Sequence, residues 1–179
     1  MEVKFYLIDI DYFLDDGKSV VRLWGKTEEG KNVVILDKRL YPYFYMDAKD
    51  VEDISWLKDG LKNLKDFGEE RIKKIEVVEK KFLGEKKNFI KISVYDPSDV
   101  AKLREMIKEW NGAKGEYEYD ISFYKRYLID HDLLPMDWLE VSGREAKHNF
   151  NADIALEADE IKQIKVKNYP KFDMLAFDI

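Results

Sequence analysis

The 179-residue sequence has no cysteine, only two histidines and no long uncharged apolar run. Without cysteine there is no disulfide framework and no thiolate to bind a metal, which suits a protein of a reducing cytoplasm. No stretch approaches the length of a membrane span. Acidic residues interrupt the apolar opening Met-Glu-Val-Lys-Phe-Tyr-Leu-Ile-Asp, which excludes a secretory signal and predicts a soluble, cytoplasmic protein. His131 and His148 have no neighbours in sequence that suggest a zinc site or a catalytic triad. Internal repeats and low-complexity tracts are also missing. What is present is a 38% charged, 14% aromatic chain, too rich in apolar residues for a disordered segment. Its Lys and Glu content fits a heat-adapted protein.

The net charge of -6 argues against coating nucleic acid by bulk attraction, which needs a broadly basic surface. Charge is unevenly spread, however. Arg71, Lys73, Lys74, Lys80, Lys81, Lys86, Lys87 and Lys91 fall within 71 to 91, against Glu76, Glu79 and Glu85. Two readings stay open for this strip, a phosphate-facing surface and a solvated hairpin.

Period-two alternation over 3 to 13 predicts a strand with Ile8, Ile10 and Tyr12 on one face and Leu7, Asp9 and Asp11 on the other. Turns at Asp15-Asp16-Gly17 and Glu28-Glu29-Gly30 separate it from strands at 19 to 24 and 33 to 36, giving an antiparallel meander. From Tyr41 the order becomes strand, helix, strand, strand, helix, strand. Tyr41, Tyr43 and Tyr45 alternate, with Pro42 marking an edge or strand start. A helix capped by Asp50 places Val51, Ile54, Leu57, Leu61 and Leu64 on one face, with Gly68 as its stop. A hairpin of 71 to 83 and 87 to 95 turns around Gly84. A second helix, 98 to 110, carries Val100, Leu103, Ile107 and Trp110, and a last strand carries Tyr117, Tyr119 and Ile121. The expected class is α+β, a meander followed by a ferredoxin-like or RRM-like βαββαβ sandwich. A third helix over 122 to 133 ends before Pro135, where a domain boundary is placed, giving domains of 1–135 and 136–179. Beyond it, 138–141 and 161–166 read as strands, and Phe172 to Ile179 as a buried strand.

Tyrosines on three strands, Tyr12, then Tyr41, Tyr43 and Tyr45, then Tyr117 and Tyr119, offer faces for unpaired bases. Core and cross-strand packing is the competing reading. The glycine-aromatic signature of a true RNA-recognition motif is lacking. Asp9 and Asp11 share a strand face like a metal pair, and the alternative is a structural role beside a turn.

The pieces Leu7-Ile8-Asp9-Ile10-Asp11-Tyr12, Tyr41-Pro42-Tyr43-Phe44-Tyr45, Lys80-Lys81-Phe82-Leu83-Gly84, Asp96-Pro97-Ser98-Asp99-Val100 and Tyr117 to Pro135 are collinear. In that order they resemble the amino-terminal part of archaeal family B DNA polymerases. The resemblance covers about 1 to 135 and resumes at Phe172 to Ile179. It implies single-stranded template DNA as partner, with a pocket that captures uracil and stalls copying of a deaminated cytosine. By position, that pocket comprises Tyr12, Pro42, Tyr43, Pro97, Val100, Glu118, Ile121, Phe123 and Arg126. Backbone groups near Tyr43 and Ile121 would read the uracil edge, and the Tyr43 ring beside Pro42 would exclude the methyl of thymine. Val100 and Phe123 would form apolar sides, and Arg126 would brace the pocket or meet phosphate. For Val100 the helical spacing also supports a core role, and Arg126 has Glu118, Asp120 and Asp130 as alternative partners. Ser122 departs from the family's usual proline.

The resemblance also implies that Asp178 opens the first exonuclease motif, a metal ligand only in a complete site. The remaining carboxylates of that site would lie beyond residue 179, so neither catalysis nor a cofactor is expected of these residues. The parent enzyme would be a DNA-directed DNA polymerase with a 3'-5' exonuclease, using Mg²⁺. An ending inside an apolar strand suggests a cut piece that packs on the rest of the polymerase chain or self-associates through that strand. The alternatives are an unselective single-stranded nucleic-acid-binding module and a purely structural domain.

Overall fold

A computed structural model of the chain describes residues 1–64, 66–147, 150–170 and 172. In chain order the elements are β1 (Glu2–Asp15), β2 (Lys18–Lys26), β3 (Asn32–Asp37), β4 (Tyr43–Ala48), α1 (Val51–Lys62), β5 (Ile72–Phe82) and β6 (Glu85–Val94). They continue as α2 (Ser98–Ile107), β7 (Ala113–Tyr117), α3 (Phe123–Asp130), β8 (Trp138–Glu145) and β9 (Ile154–Gln163). The class is mixed α+β with strands predominating. Contacts divide the chain into two compact units, 1–13 with 20–40 and 124–179, and 14–19 with 41–123.

In the first unit the expected meander closes into a barrel of order β1-β2-β3-β9-β8. β9 begins seven residues earlier than the predicted strand at 161, because Ala155, Leu156 and Ala158 are inward residues in a stretch whose overall polarity hid them. β9 runs parallel to β3, with Val33 opposite Ile154 and Ile35 opposite Leu156. Val33, Val34 and Ile35 of β3 are fully buried, covered on both faces. Burying each such side chain contributes about 1.5–3 kcal/mol. Two glycines permit the close strand approaches. A Cβ on Gly25 would sit 2.2 Å from the Tyr6 carbonyl oxygen, and one on Gly143 would sit 2.1 Å from that of Glu157. Gly143 also lies where the β8–β9 register shifts.

Asp37, the last residue of β3, is a fully buried carboxylate. It accepts hydrogen bonds from the Tyr127 hydroxyl on α3 at 2.7 Å and from Arg39 Nη2 and Nε at 2.6 and 2.9 Å. Burial pushes its pKa up, but the bonds from Arg39 and then Tyr127 outweigh this and hold it below the ordinary carboxylate value. Tyr127 is pushed the other way, above the ordinary phenol value, by burial and by the Asp37 charge. His131 stacks on Tyr127 with ring centroids 4.2 Å apart.

In the second unit β5-β6-β4-β7 form a four-stranded sheet. Every adjacent pair is antiparallel. The β5–β6 hairpin turns on Leu83 and Gly84, both at positive φ (49° and 94°), the combination that a two-residue type I′ turn demands. α1 ends at Lys62, short of Gly68, because the Asn63 side chain caps the Asp59 carbonyl at 2.7 Å. Val51, expected on its apolar face, is exposed at the first position of the helix. β7 ends at Tyr117 because Glu118 takes φ 62°, so Tyr119 and Ile121 lie past the strand instead of on it. The Tyr119 ring instead lies beneath the Arg104 guanidinium, 4.1 Å from its centroid.

Candidate nucleic-acid interface

β4 is an inner strand, and its pleat sorts side chains onto two faces. Phe44, Met46 and Ala48 join Ile90, Ile92 and Val94 of β6 and Leu57, Leu61, Leu103 and Ile107 of the helices in one buried cluster. Tyr43, Tyr45 and Asp47 alternate onto the opposite face. Strand register adds Lys87, Phe89 and Lys91 of β6, Lys80 and Phe82 of β5, and Tyr117 of β7 to that face.

There the basic strip and the tyrosines form one surface. Lys80 Nζ stands 4.0 Å from the Tyr45 ring centroid, and Lys91 Nζ 3.7 Å from that of Tyr43. Each such contact is worth about 0.5–1 kcal/mol where exposed. Lys87 Nζ is 2.6 Å from the buried Asp47 carboxylate. The rings pack edge to face, with Phe82 and Tyr117 centroids 5.2 Å apart and Phe89 at 5.8 Å from both. Tyr45, Lys80, Lys81, Phe82, Phe89, Tyr117 and Glu118 line a cavity of about 160 Å³. Sequence reasoning missed Phe89 and gave Phe82 only as part of the Lys80 to Gly84 piece, not as a site residue. The signal that points to them is the alternation Lys80, Phe82 on one arm of the hairpin and Lys87, Phe89, Lys91 on the other.

The start of β4 lies beside the ends of β6 and β7, since both pair with it antiparallel. That topology brings Pro42 and Tyr43 beside the end of β6, which leads into Pro97 and Val100, and beside the end of β7, which leads into Glu118. The Pro42 carbonyl accepts the Val94 N–H at 2.9 Å, and the Pro97 carbonyl that of Val100 at 3.2 Å. Tyr43 is buried, its ring 5.4 Å from that of Tyr45. Val100 is buried as well, within the helix–sheet cluster that its spacing predicted. Tyr12 and Arg126 belong to the barrel unit. Tyr12 is exposed on β1, and the buried Arg126 guanidinium lies 3.9 Å from Asp130.

Two carboxylates near the site are partnered by arginines. Glu116, on β7, has its pKa raised mainly by burial, only partly offset by Arg104 at 3.7 Å. Asp99, at the start of α2, is buried and accepts Arg71 Nε at 2.9 Å, which takes one cation of the basic strip out of circulation.

The sequence profile of the DNA polymerase family B exonuclease domain matches residues 114–179. DNA polymerase 1 of Pyrococcus abyssi is 40% identical over 134 residues, 73% of this chain and 17% of that polymerase. DNA polymerase 3 of Saccharolobus solfataricus is 28% identical over 177 residues, 97% of this chain and 22% of that polymerase. The solved family B DNA polymerase of the hyperthermophilic archaeon Pyrobaculum calidifontis superposes with a TM-score of 0.80 at 32% identity, over 94% of this chain and 21% of that one. This chain is a relative of the archaeal family B DNA polymerases. It spans about a fifth of the length of these three relatives.

For a family B relative, the question of magnesium turns on carboxylates. Asp178 and His148 lie outside the described residues, as does most of the strand expected over 172 to 179. Among the described residues no group of three or more His, Asp or Glu is placed to hold a metal. Asp11 is engaged instead by Arg22, through Nη2 at 2.6 Å and Nε at 2.9 Å, and Asp9 accepts the Ile10 N–H at 2.8 Å. The described residues therefore do not fit a magnesium site. No described helix is long and apolar enough to cross a membrane.

Proposed function

We propose that this chain is the template-binding part of a family B DNA polymerase, holding single-stranded DNA and capturing uracil where a cytosine has deaminated. The observation that supports the reading is the strand register that sets Tyr43 of β4 beside the end of β6, just before Pro97, and near the end of β7, just before Glu118, in a relative of the archaeal enzymes. Fixed backbone groups near Tyr43 and Ile121 would pair with uracil and leave cytosine's donors and acceptors unmatched, discrimination worth about 10⁴-fold when the groups are buried. Thymine differs by a methyl and needs a rigid wall. Tyr43 suits that task, since Tyr45 and Lys91 pack against its ring. The sheet with two helices on one face supports the ferredoxin-like description of 41–121. DNA synthesis, proofreading and their Mg²⁺ are proposed for the longer protein, with this chain contributing Asp178 to the exonuclease site and packing on the remaining chain.

Fluorescence anisotropy with single-stranded oligonucleotides that differ only in one central uracil, thymine or cytosine tests the proposal. Preference for uracil, lost in Ile121→Gln and in Val100→Gln with their folded circular dichroism retained, supports it. Equal binding of all three bases would favour an unselective single-strand module, a reading to which the ring and lysine face lends weight. Absence of binding would leave a structural domain.

A further inference from the structure

The ring-lined cavity lies on the face of the sheet opposite the helices and is built from residues other than the uracil set, apart from Glu118 at its rim. Its walls are Phe82, Phe89 and Tyr117, three rings in mutual edge-to-face contact, and Tyr45, edge to face with Phe89. Its volume of about 160 Å³ is close to that of cavities known to admit a benzene ring. Lys80 spans the mouth, with Nζ over the Tyr45 ring at 4.0 Å and 3.6 Å from Glu118 Oε1. Both partners of that ion pair are more than a third exposed, so the pair is weak and open to exchange. Lys81 also lines the cavity. Glu118 holds its carboxylate there from a left-handed backbone (φ 62°), a conformation that non-glycine residues adopt at a cost and that gathers at ligand clamps.

We propose that this cavity is a second nucleotide subsite: it takes one unpaired base of single-stranded DNA between its rings, while the adjoining phosphate displaces Glu118 from Lys80 and also meets Lys81. The proposal rests on the reading of the chain as a single-strand binder and names a contact beyond the uracil pocket. Aromatic walls tolerate any base, because every base has a π face, so the subsite adds affinity without selectivity. The lysines add a salt-dependent component.

The test uses the whole chain, a fluorescent oligothymidylate and the same strand carrying one uracil. Phe82→Ala is expected to weaken oligothymidylate binding about tenfold, within the range for loss of one stacked base. Lys80→Gln is expected to weaken binding and to lower the salt slope by about one. In both variants the ratio of uracil to thymine affinity should stay at the wild-type value, whereas Ile121→Gln should change that ratio. Unchanged affinity and salt slope in both variants would overturn the subsite and leave the uracil reading untouched. An abasic strand that binds as tightly as oligothymidylate would also overturn it, since the rings would then hold no base. Loss of affinity in both variants without any uracil preference would support the subsite and sink the uracil reading alone.

Discussion

The Tyr127 hydroxyl donates a 2.7 Å hydrogen bond to the Asp37 carboxylate across 90 residues of sequence, with both groups buried. This contact ties the end of β3 to α3, the helix that carries Arg126. Tyr127→Phe keeps the ring and removes the donor, leaving a buried charge with one partner fewer. A hydrogen bond to a charged group contributes about 1.5–3 kcal/mol, and that loss is expected in urea unfolding at neutral pH.

The same carboxylate predicts an acid dependence. Asp37 has a folded pKa below its ordinary value, so its contribution is present above the unfolded pKa of about 3.9 and is lost as pH falls through the depressed folded value. Unfolding free energy measured from neutral pH down into that range should fall for the wild type and fall less steeply for Asp37→Asn. Parallel curves would show that Asp37 is not linked to acid unfolding.

Leu83 is 92% exposed at φ 49° in the hairpin turn. A left-handed backbone costs a leucine roughly 1–2 kcal/mol, which asparagine partly escapes. Leu83→Asn makes the Asn-Gly pair favoured in type I′ turns and is expected to stabilise the chain by about 1 kcal/mol, read as a raised thermal midpoint. Leu83→Val should lower it.

Gly143 has no room for a side chain, because the nearest atom is a backbone carbonyl of the neighbouring strand rather than a flexible side chain. Gly143→Ala is expected to destabilise by about 1–3 kcal/mol in denaturant titration. Wild-type stability in that variant would show that β8 and β9 separate easily.

The local pattern was legible where one side of an element faces a core. Leu57 and Leu61 of α1, and Leu103 and Ile107 of α2, could be read from helical spacing because each helix buries a single stripe. The closure of the barrel was not legible. β3 pairs in parallel with a strand some 120 residues away, and nothing in Val33 to Leu36 specifies that partner. Glu118 escaped notice as the end of β7, since its left-handed φ is a tertiary choice that glutamate does not advertise. For the candidate site, the lysines and tyrosines were each visible, but their shared face depended on the pairing of Lys91 with Tyr45 and of Val78 with Phe89. The Asp37–Tyr127 bond left no local trace, because neither residue's neighbours reveal the other.

The most direct measurement is an amide-resolved NMR titration of the chain with matched single strands carrying uracil or thymine at one position. Capture of uracil at the end of the four-stranded sheet predicts uracil-dependent shifts at the amides of Tyr43, Ile121 and Phe123 that thymine does not produce. Identical shifts with both strands, or uracil-dependent shifts confined to other parts of the chain, would contradict it.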